Sequence, residues 1–433
     1  MRVLLVHNFY QIAGGEDSVV REELSMLKKN GVDVELFSVS NDDIRGTLGA
    51  IAAGLRVIYN PRARRALSKK LAEFLPDVVH IHNFFPLLSP SILDACLDAN
   101  VPSVMTLHNF RVLCPTALLH PDEALRERSL RHSCWWTVPK RGYRNSAGAT
   151  LALAAMVEFH KLAGTWKRKV DRFIALTDGA KQTFTVGGLP AERITVKPNC
   201  TERPPTFGGL RRDGGLFVGR LDEQKGIHIL LRAWKDIDYP LRIIGDGPLS
   251  ELVARNGSDR VVYLGRQPRE AVQREMQAAK FLVLPSMRHE MFPVTVIEAF
   301  SSHLPVICSD LPSLKELVEP GVTGLTFPQG DAHALGAQVR RAISNPSSLN
   351  ELGRRAHSIY EERYTPEVNI NRLIGIYHSL CRDRRLGASG SRGINCKTAS
   401  IKVRYPAKKI CGNSPKLEPN QKLLNTSPAT NEG

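Results

Sequence analysis

Gly215-Leu216-Phe217-Val218-Gly219-Arg220-Leu221-Asp222-Glu223-Gln224-Lys225-Gly226 runs from a short apolar segment into a turn, two cations and a glycine. An apolar run without alternation is what a strand buried on both faces looks like, as in a parallel sheet covered by helices. Similar runs recur along the chain. Val3–Val6, Val34–Val39, Val78–His82, Val104–Leu107, Phe173–Leu176 and Ile194–Lys197 make one set; Leu216–Val218, Leu241–Ile244, Val261–Leu264, Phe281–Leu284 and Val306–Cys308 make a second. Helical stretches separate them, and strand–helix alternation marks doubly wound α/β units. The rhythm breaks between Cys200 and Gly215, a segment punctuated by Pro204-Pro205, Gly208-Gly209 and Gly214-Gly215. The sequence therefore predicts two Rossmann-like domains, 1–199 and 200–365, facing each other across a cleft. After Thr365-Pro366, the spacing of Val368, Ile370, Leu373, Ile374, Ile376 and Tyr377 predicts a last amphipathic helix over 366–385. Residues 386–433 turn to Gly, Ser, Asn, Pro and Lys, with eight cations and two acids, and read as a disordered basic tail.

The chain has 433 residues, 42% of them apolar, and a formal net charge of +16. That is enough chain for two full cores, which excludes a disulfide-stapled mini-protein, a collagen-like chain and a wholly disordered one. No two of the eight cysteines lie within four residues of each other, so the paired spacing of a zinc or redox motif is absent. They read as reduced, buried thiols of a cytoplasmic protein. The longest uncharged apolar stretch, Ala147 to Val157, is far short of the ~20 residues a membrane span needs. The opening Met1-Arg-Val-Leu-Leu-Val-His7-Asn8 reads as a first strand and not as a signal peptide.

In open parallel sheets, ligands sit beyond the carboxyl ends of the strands. Arg220 and Lys225 occupy such a place, before a helix that starts near Gly226. A helix N-terminus with two cations suits a diphosphate; the competing reading is a surface pair beside a tight turn. A second segment, Leu284-Pro285-Ser286-Met287-Arg288-His289-Glu290-Met291-Phe292-Pro293-Val294-Thr295-Val296-Ile297-Glu298, holds two carboxylates. With Glu298 in a helix, their backbones lie roughly 10–12 Å apart. That is wide for a glycosidase pair, whose carboxyls are about 5–9.5 Å apart. It suits a nucleotide-sugar held at both ends, since sugar and ribose hydroxyls are donors to carboxylates. His108 ends a strand, followed by Asn109 and Arg111, where a ligand is expected; His80 and His82, alternating with Val79 and Ile81, read as structural or cleft-lining.

With Gly245-Asp246-Gly247-Pro248-Leu249 between them, these two segments resemble the retaining glycosyltransferases of family 4, also called group 1. The resemblance extends through Val262-Tyr263-Leu264-Gly265, Pro305–Glu316 and Gly321–Phe327, and back through Ala13-Gly14-Gly15-Glu16, Val79-His80-Ile81-His82-Asn83 and Thr106-Leu107-His108-Asn109, so it spans roughly residues 1–380. It implies the GT-B fold, with the last helix crossing back to the N-terminal domain. It implies that Arg220 and Lys225 hold the donor diphosphate, Glu298 the ribose and Glu290 the transferred sugar. His108 would reach the sugar from the opposite domain. Backbone at Gly265 and Arg266 would line the base, Phe292 and Thr295 would complete the donor side, and Gly14-Gly15 would approach the phosphates or the acceptor. The family often has Gly-Phe-Gly where this chain has Met291-Phe292-Pro293, and Pro293 has no N–H to offer a phosphate.

The expected partners are a nucleotide-sugar donor and a glycan or lipid-linked acceptor, in cell-envelope or exopolysaccharide assembly, with no nucleic acid. No metal or other cofactor is expected; the one Asp-x-Asp, Asp236-Ile237-Asp238, precedes a strand, at the wrong end for chemistry. A non-catalytic sugar-nucleotide-binding protein of the same fold is the alternative. A dinucleotide oxidoreductase fails on the missing G-x-G-x-x-G after the first strand. Between Ile44 and Ala72, seven cations and no acid interleave with Leu55, Val57, Ile58, Leu67 and Leu71. That predicts one basic amphipathic helix, able to dock peripherally on an anionic membrane at the inner face of the plasma membrane.

Overall fold

The computed structural model describes residues 1–388 apart from 12, 13 and 121. Strands β1 (Arg2–Phe9), β2 (Asp33–Ser40), β3 (Val78–Ile81), β4 (Ser103–Thr106), β5 (Arg172–Ala175) and β6 (Ile194–Val196) form one sheet in the order β2-β1-β3-β4-β5-β6. Strands β7 (Gly215–Val218), β8 (Leu241–Ile244), β9 (Val261–Gly265), β10 (Phe281–Leu284), β11 (Val306–Ser309) and β12 (Gly324–Phe327) form the other, in the order β12-β11-β10-β7-β8-β9. Every pairing within both sheets is parallel. The α/β, doubly wound, two-domain class expected from the sequence is the one observed. β12 carried no apolar run to announce it. It is an edge strand, half-exposed at Leu325 and Thr326, so its sequence need not be continuously hydrophobic.

Each sheet has one point where the strand order reverses, between β1 and β3 in the first and between β7 and β10 in the second. Crossovers leave such a point in opposite directions and open a crevice there. Both candidate ligand segments of the C-terminal half, after β7 and after β10, flank its crevice.

The first helix, Gly15–Lys29, opens with Glu16 and Asp17 and closes with Lys28 and Lys29, the charge order its dipole favours. The crossing helix, Pro366–Ala388, buries Ile370, Leu373, Ile376, Tyr377 and Leu380 against Val3, Leu5, Val34 and Val104 of the N-terminal sheet. It runs three residues beyond the predicted end, and the rest of the predicted tail, 389–433, lies outside the described residues.

The segment from Ile44 to Ala72 is two helices, Gly46–Arg56 and Pro61–Phe74, where the sequence suggested one. The Asn60 side chain caps the second by accepting from the Arg62 and Ala63 amides, and Pro61 sets its first turn. Leu67 and Leu71 are core residues there, and Ile51 and Leu55 on the helix Gly46–Arg56 are the large aliphatic side chains that the two helices expose among the described residues.

The carboxyl edges of the two sheets face each other. Leu176, just after β5, belongs to the C-terminal core, and Met291, from the loop after β10, packs against both cores. The Arg269 guanidinium pairs with Glu22 of the first helix and donates to Thr201 Oγ1 at 3.2 Å. A Cβ at Gly179 would collide with the Glu316 carboxylate, so the domains meet backbone to side chain there.

Candidate active site

The C-terminal half of the site is built by glycines that let loops touch. A Cβ at Gly226, which has φ of +72°, would collide with the Pro285 carbonyl. The loops after β7 and β10 therefore meet at a position only glycine fills comfortably. Gly245 and Gly247 likewise press their backbone on the Gly219 and Leu221 carbonyls. Leu221 N–H donates to Asp246 O at 2.9 Å, and Leu249 N–H donates back to Leu221 O at 2.9 Å. The Gly-Asp-Gly-Pro-Leu segment thus braces the turn that carries Arg220 and Lys225.

On that braced turn, Asp222 Oδ1 accepts from the Lys225 amide at 3.0 Å. Lys225 Nζ reaches across the crevice to Glu290 Oε2 at 2.6 Å, and the Ser286 hydroxyl donates to the other Glu290 oxygen. The structure therefore brings Lys225 and Glu290, sixty-five positions apart, into one ion pair. Arg220 is exposed, its guanidinium 3.3 Å from Asp222. The helix Val294–Ser301 starts beside this pair with Pro293 at its N-cap, and Thr295 lies in its first turn, partly exposed. Phe292 is different: its ring is 8% exposed and packs edge-on to Tyr364, so its side chain seats the helix in the core and offers no face to a donor.

Glu298 lies one turn further on. Burial lifts its carboxyl to about 7, with Arg269 opposing the rise and Glu22 adding to it. Gly265 has φ of +68°, Gly14 and Gly15 are exposed, and a Cβ at any of the three would meet no atom within 4 Å. The protein's own packing does not demand glycine at 14 or 15. Arg266 is exposed. Asp236 and Asp238 are exposed too, and Asp238 pairs with Arg260 at 2.7 Å, as solvated surface does.

On the N-terminal edge, His108 follows β4 and its Nε2 lies 2.9 Å from His82 Nδ1, with the rings stacked. Burial and the neighbouring His82 hold His108 well below the ordinary imidazole range. Asn109 Nδ2 and the Tyr10 hydroxyl donate to Glu16 Oε2 at 3.3 and 3.4 Å. Burial and Asp17 push the Glu16 carboxyl up to about 8. Behind them, Asp17 Oδ1 lies 2.7 Å from His7 Nε2, and its second oxygen accepts from Gly14 N–H at 3.2 Å, fixing the glycine turn to β1. Deeper still is a cluster of Glu23, His80, His82 and Lys197 that sequence reasoning did not assemble. Its only sequence signal is the pair of histidines in an otherwise apolar strand, since Glu23 and Lys197 lie on elements far apart in the chain.

The comparisons with known proteins match this picture. Residues 215–359 match the family model described as glycosyl transferases group 1, and residues 13–202 the model described as glycosyltransferase family 4. The D-rhamnosyltransferase WbpZ of Pseudomonas aeruginosa is 33% identical over 383 residues, covering 84% of this chain and 92% of that protein. The O-antigen chain mannosyltransferase C of Escherichia coli is 25% identical over 405 residues, covering 89% of this chain and 100% of its own. Among solved structures, Anabaena HepE in complex with UDP and glucose superposes with a TM-score of 0.63 at 18% identity, over 88% of this chain and 100% of that one. Two opposed parallel sheets, a crossing helix and family matches over both halves give one conclusion: the chain belongs to the group 1, family 4 glycosyltransferases and has their GT-B fold.

Proposed function

We propose that the protein is a retaining glycosyltransferase that moves a sugar from a nucleotide-sugar to a glycan or lipid-linked acceptor in cell-envelope or exopolysaccharide biosynthesis. The observation that carries this is the Lys225–Glu290 pair at the strand-order reversal, beside the start of the helix that holds Glu298. The sugar class is supported by the relatives, whose names are a rhamnosyltransferase and a mannosyltransferase.

The hard step is departure of the nucleoside diphosphate from the anomeric carbon. Negative charge grows on the diphosphate as that bond breaks, and cations and amide dipoles already in place lower the barrier without reorganising. Arg220, Lys225 and the free amides of Val294 and Thr295 fill that role. Glu298 accepts from the ribose hydroxyls, Glu290 from the sugar, and His108 meets the sugar from the other domain. A panel of nucleotide-sugars, read by nucleoside diphosphate release and by the anomeric configuration of the product, tests the proposal. Inversion of configuration, or no release with any donor, overturns it.

In this reading the protein's own cations neutralise the diphosphate, so turnover is expected to survive chelator. Loss of activity with EDTA and recovery with magnesium or manganese would refute that.

We further propose that the N-terminal domain docks on an anionic membrane through the helices Gly46–Arg56 and Ala147–Leu162. Arg64 pairs with Asp98 at 2.6 Å and Lys70 pairs with Glu35, so the helix Pro61–Phe74 has spent part of its charge internally. Among the exposed apolar side chains are Ile51 and Leu55 on the helix Gly46–Arg56, and Leu151, Phe159 and Leu162 on the helix Ala147–Leu162 packed beside it. Arg45, Lys167 and Arg168 are exposed on the adjoining segments. Each cation near an anionic surface adds about 1 kcal/mol, and buried leucines add more. The full-length chain carrying Leu55→Glu and Leu162→Glu is expected to sediment at least ~10-fold less with anionic vesicles at low salt than the parent chain. Equal sedimentation would assign any membrane binding to another part of the chain.

A further inference from the structure

Buried behind His108 is a row of polar side chains that the transfer step as described does not use. Lys197 Nζ lies 3.4 Å from Glu23 Oε2. The other oxygen, Glu23 Oε1, faces His80 Nδ1 at 3.1 Å and His82 Nε2 at 3.5 Å. His80 is held further by the Tyr377 hydroxyl, 2.7 Å from Nδ1, and by the Thr106 hydroxyl, 2.7 Å from Nε2. Tyr377 comes from the crossing helix, so five separate stretches of the chain meet in this row. Glu23, His80 and His82 are each at most 4% exposed. Glu23 Oε1 and His82 Nε2 are both buried without a well-aligned hydrogen-bond partner, and they face each other.

Three atoms of metal-ligand type come within 4.8 Å of one another here, on Glu23, His80 and His82. The surroundings argue for a hydrogen-bonded row and against a cation. An ammonium already sits on the second Glu23 oxygen, and both nitrogens of His80 have hydroxyl partners. A further positive charge would be repelled by Lys197.

The proton placement follows from the order of the groups. Despite the cost of burial, the Lys197 ammonium holds Glu23 well below the usual carboxylate range, so it is ionised and accepts only. A nitrogen lone pair facing it would be repelled, so His82 carries its hydrogen on Nε2. Burial, with His80 adding, lowers His82 to about 3, so the ring has one hydrogen only and Nδ1 is bare. His108 Nε2 is 2.9 Å from that bare nitrogen and must supply the hydrogen. One ring nitrogen's partner thereby sets what the other can do.

We propose that Glu23 and His82 are positioning residues that fix the tautomer of His108, with its hydrogen on Nε2 and Nδ1 left as an acceptor for a hydroxyl group of the transferred sugar. The proposal deepens the reading of His108 as a sugar-facing residue and rests on it. The row makes the N-terminal edge selective for a hydroxyl that donates. A donor sugar lacking a hydroxyl at that place is expected to be used poorly, because the bare nitrogen would be left unpaired.

Two measurements test it. The first does not depend on turnover: histidine-labelled full-length protein, read by long-range proton–nitrogen correlation NMR, is expected to show His108 protonated on Nε2 and bare on Nδ1. Hydrogen on Nδ1 overturns the proposal, even if the protein proves to be an active transferase. One equivalent of zinc retained by the purified chain and lost in His82→Leu also overturns it, because the row would then be a metal site. The second is kinetic. His82→Leu is expected to lower kcat about 10- to 100-fold, with nucleoside diphosphate affinity unchanged, since that ligand is held by the other domain. His82→Asn, whose side-chain oxygen can occupy the place of Nδ1, is expected to recover most of the loss. Equal damage from both substitutions in folded protein, or none from His82→Leu, refutes the positioning role. If no nucleotide-sugar is turned over by the parent chain, the functional reading has failed, and the NMR result still decides the tautomer.

Discussion

Lys225→Ala is expected to lower donor turnover by at least ~100-fold while the protein remains folded. Lys225 is a quarter exposed, so its removal is expected to leave the sheet and its covering helices intact. The loss has two parts. One is a cation at the place where charge develops on the leaving diphosphate. The other is the anchor of Glu290, which is held by Lys225 at 2.6 Å and by the Ser286 hydroxyl. Because the two side chains act as a pair, Lys225→Ala combined with Glu290→Gln should cost much less than the product of the single losses. The measurement is nucleoside diphosphate release under saturating donor, with thermal unfolding as the check on folding. A folded Lys225→Ala protein with near-normal turnover would remove Lys225 from the site. Single losses that multiply in the double variant would show that the pair seen in the structure is not the functional unit.

Glu298→Gln is expected to have opposite effects on stability and on ligand affinity. The carboxyl titrates at about 7 in the folded protein against an ordinary value of 4.5, chiefly through burial. Its folded value is raised, so the native state favours the uncharged form. The favourable contribution of that form is complete below pH 4.5 and is lost as pH rises through about 7. A shift of this size corresponds to about 3 kcal/mol. Glutamine cannot ionise, so the variant should match the parent in thermal stability near pH 4.5 and exceed it at pH 8. Binding should move the other way. Ribose hydroxyls donate to a carboxylate, so parent affinity for a nucleoside diphosphate should strengthen between pH 6 and pH 8 relative to the variant. At pH 8 the variant should bind more weakly by ~1.5–3 kcal/mol, roughly 10- to 100-fold. Calorimetric titration at the two pH values checks both signs. Equal affinity at pH 8 would take the ribose role away from Glu298.

The sequence by itself determined the two-domain α/β class, because strands covered on both faces must be apolar throughout and say so in eleven short runs. It also singled out Lys225, Glu290 and Glu298, since the motifs that hold them lie just past strand ends. What it could not decide was set by distance in the chain. That Lys225 grips Glu290 depends on how closely β7 and β10 approach, and Gly226 permits that approach only against Pro285. Phe292 belongs to the same loop by sequence, yet the ring turns inward because a large apolar side chain gains more from the core beside Tyr364 than from the crevice. The segment after Ile44, whose charge pattern predicts a single basic helix, is two helices because Asn60 caps a second one at Pro61. The row from Lys197 through Glu23 and His82 to His108 was beyond reach of sequence patterns altogether. Its members come from a helix and three strand ends, and only folding brings a carboxylate close enough to decide which nitrogen of His108 carries the proton.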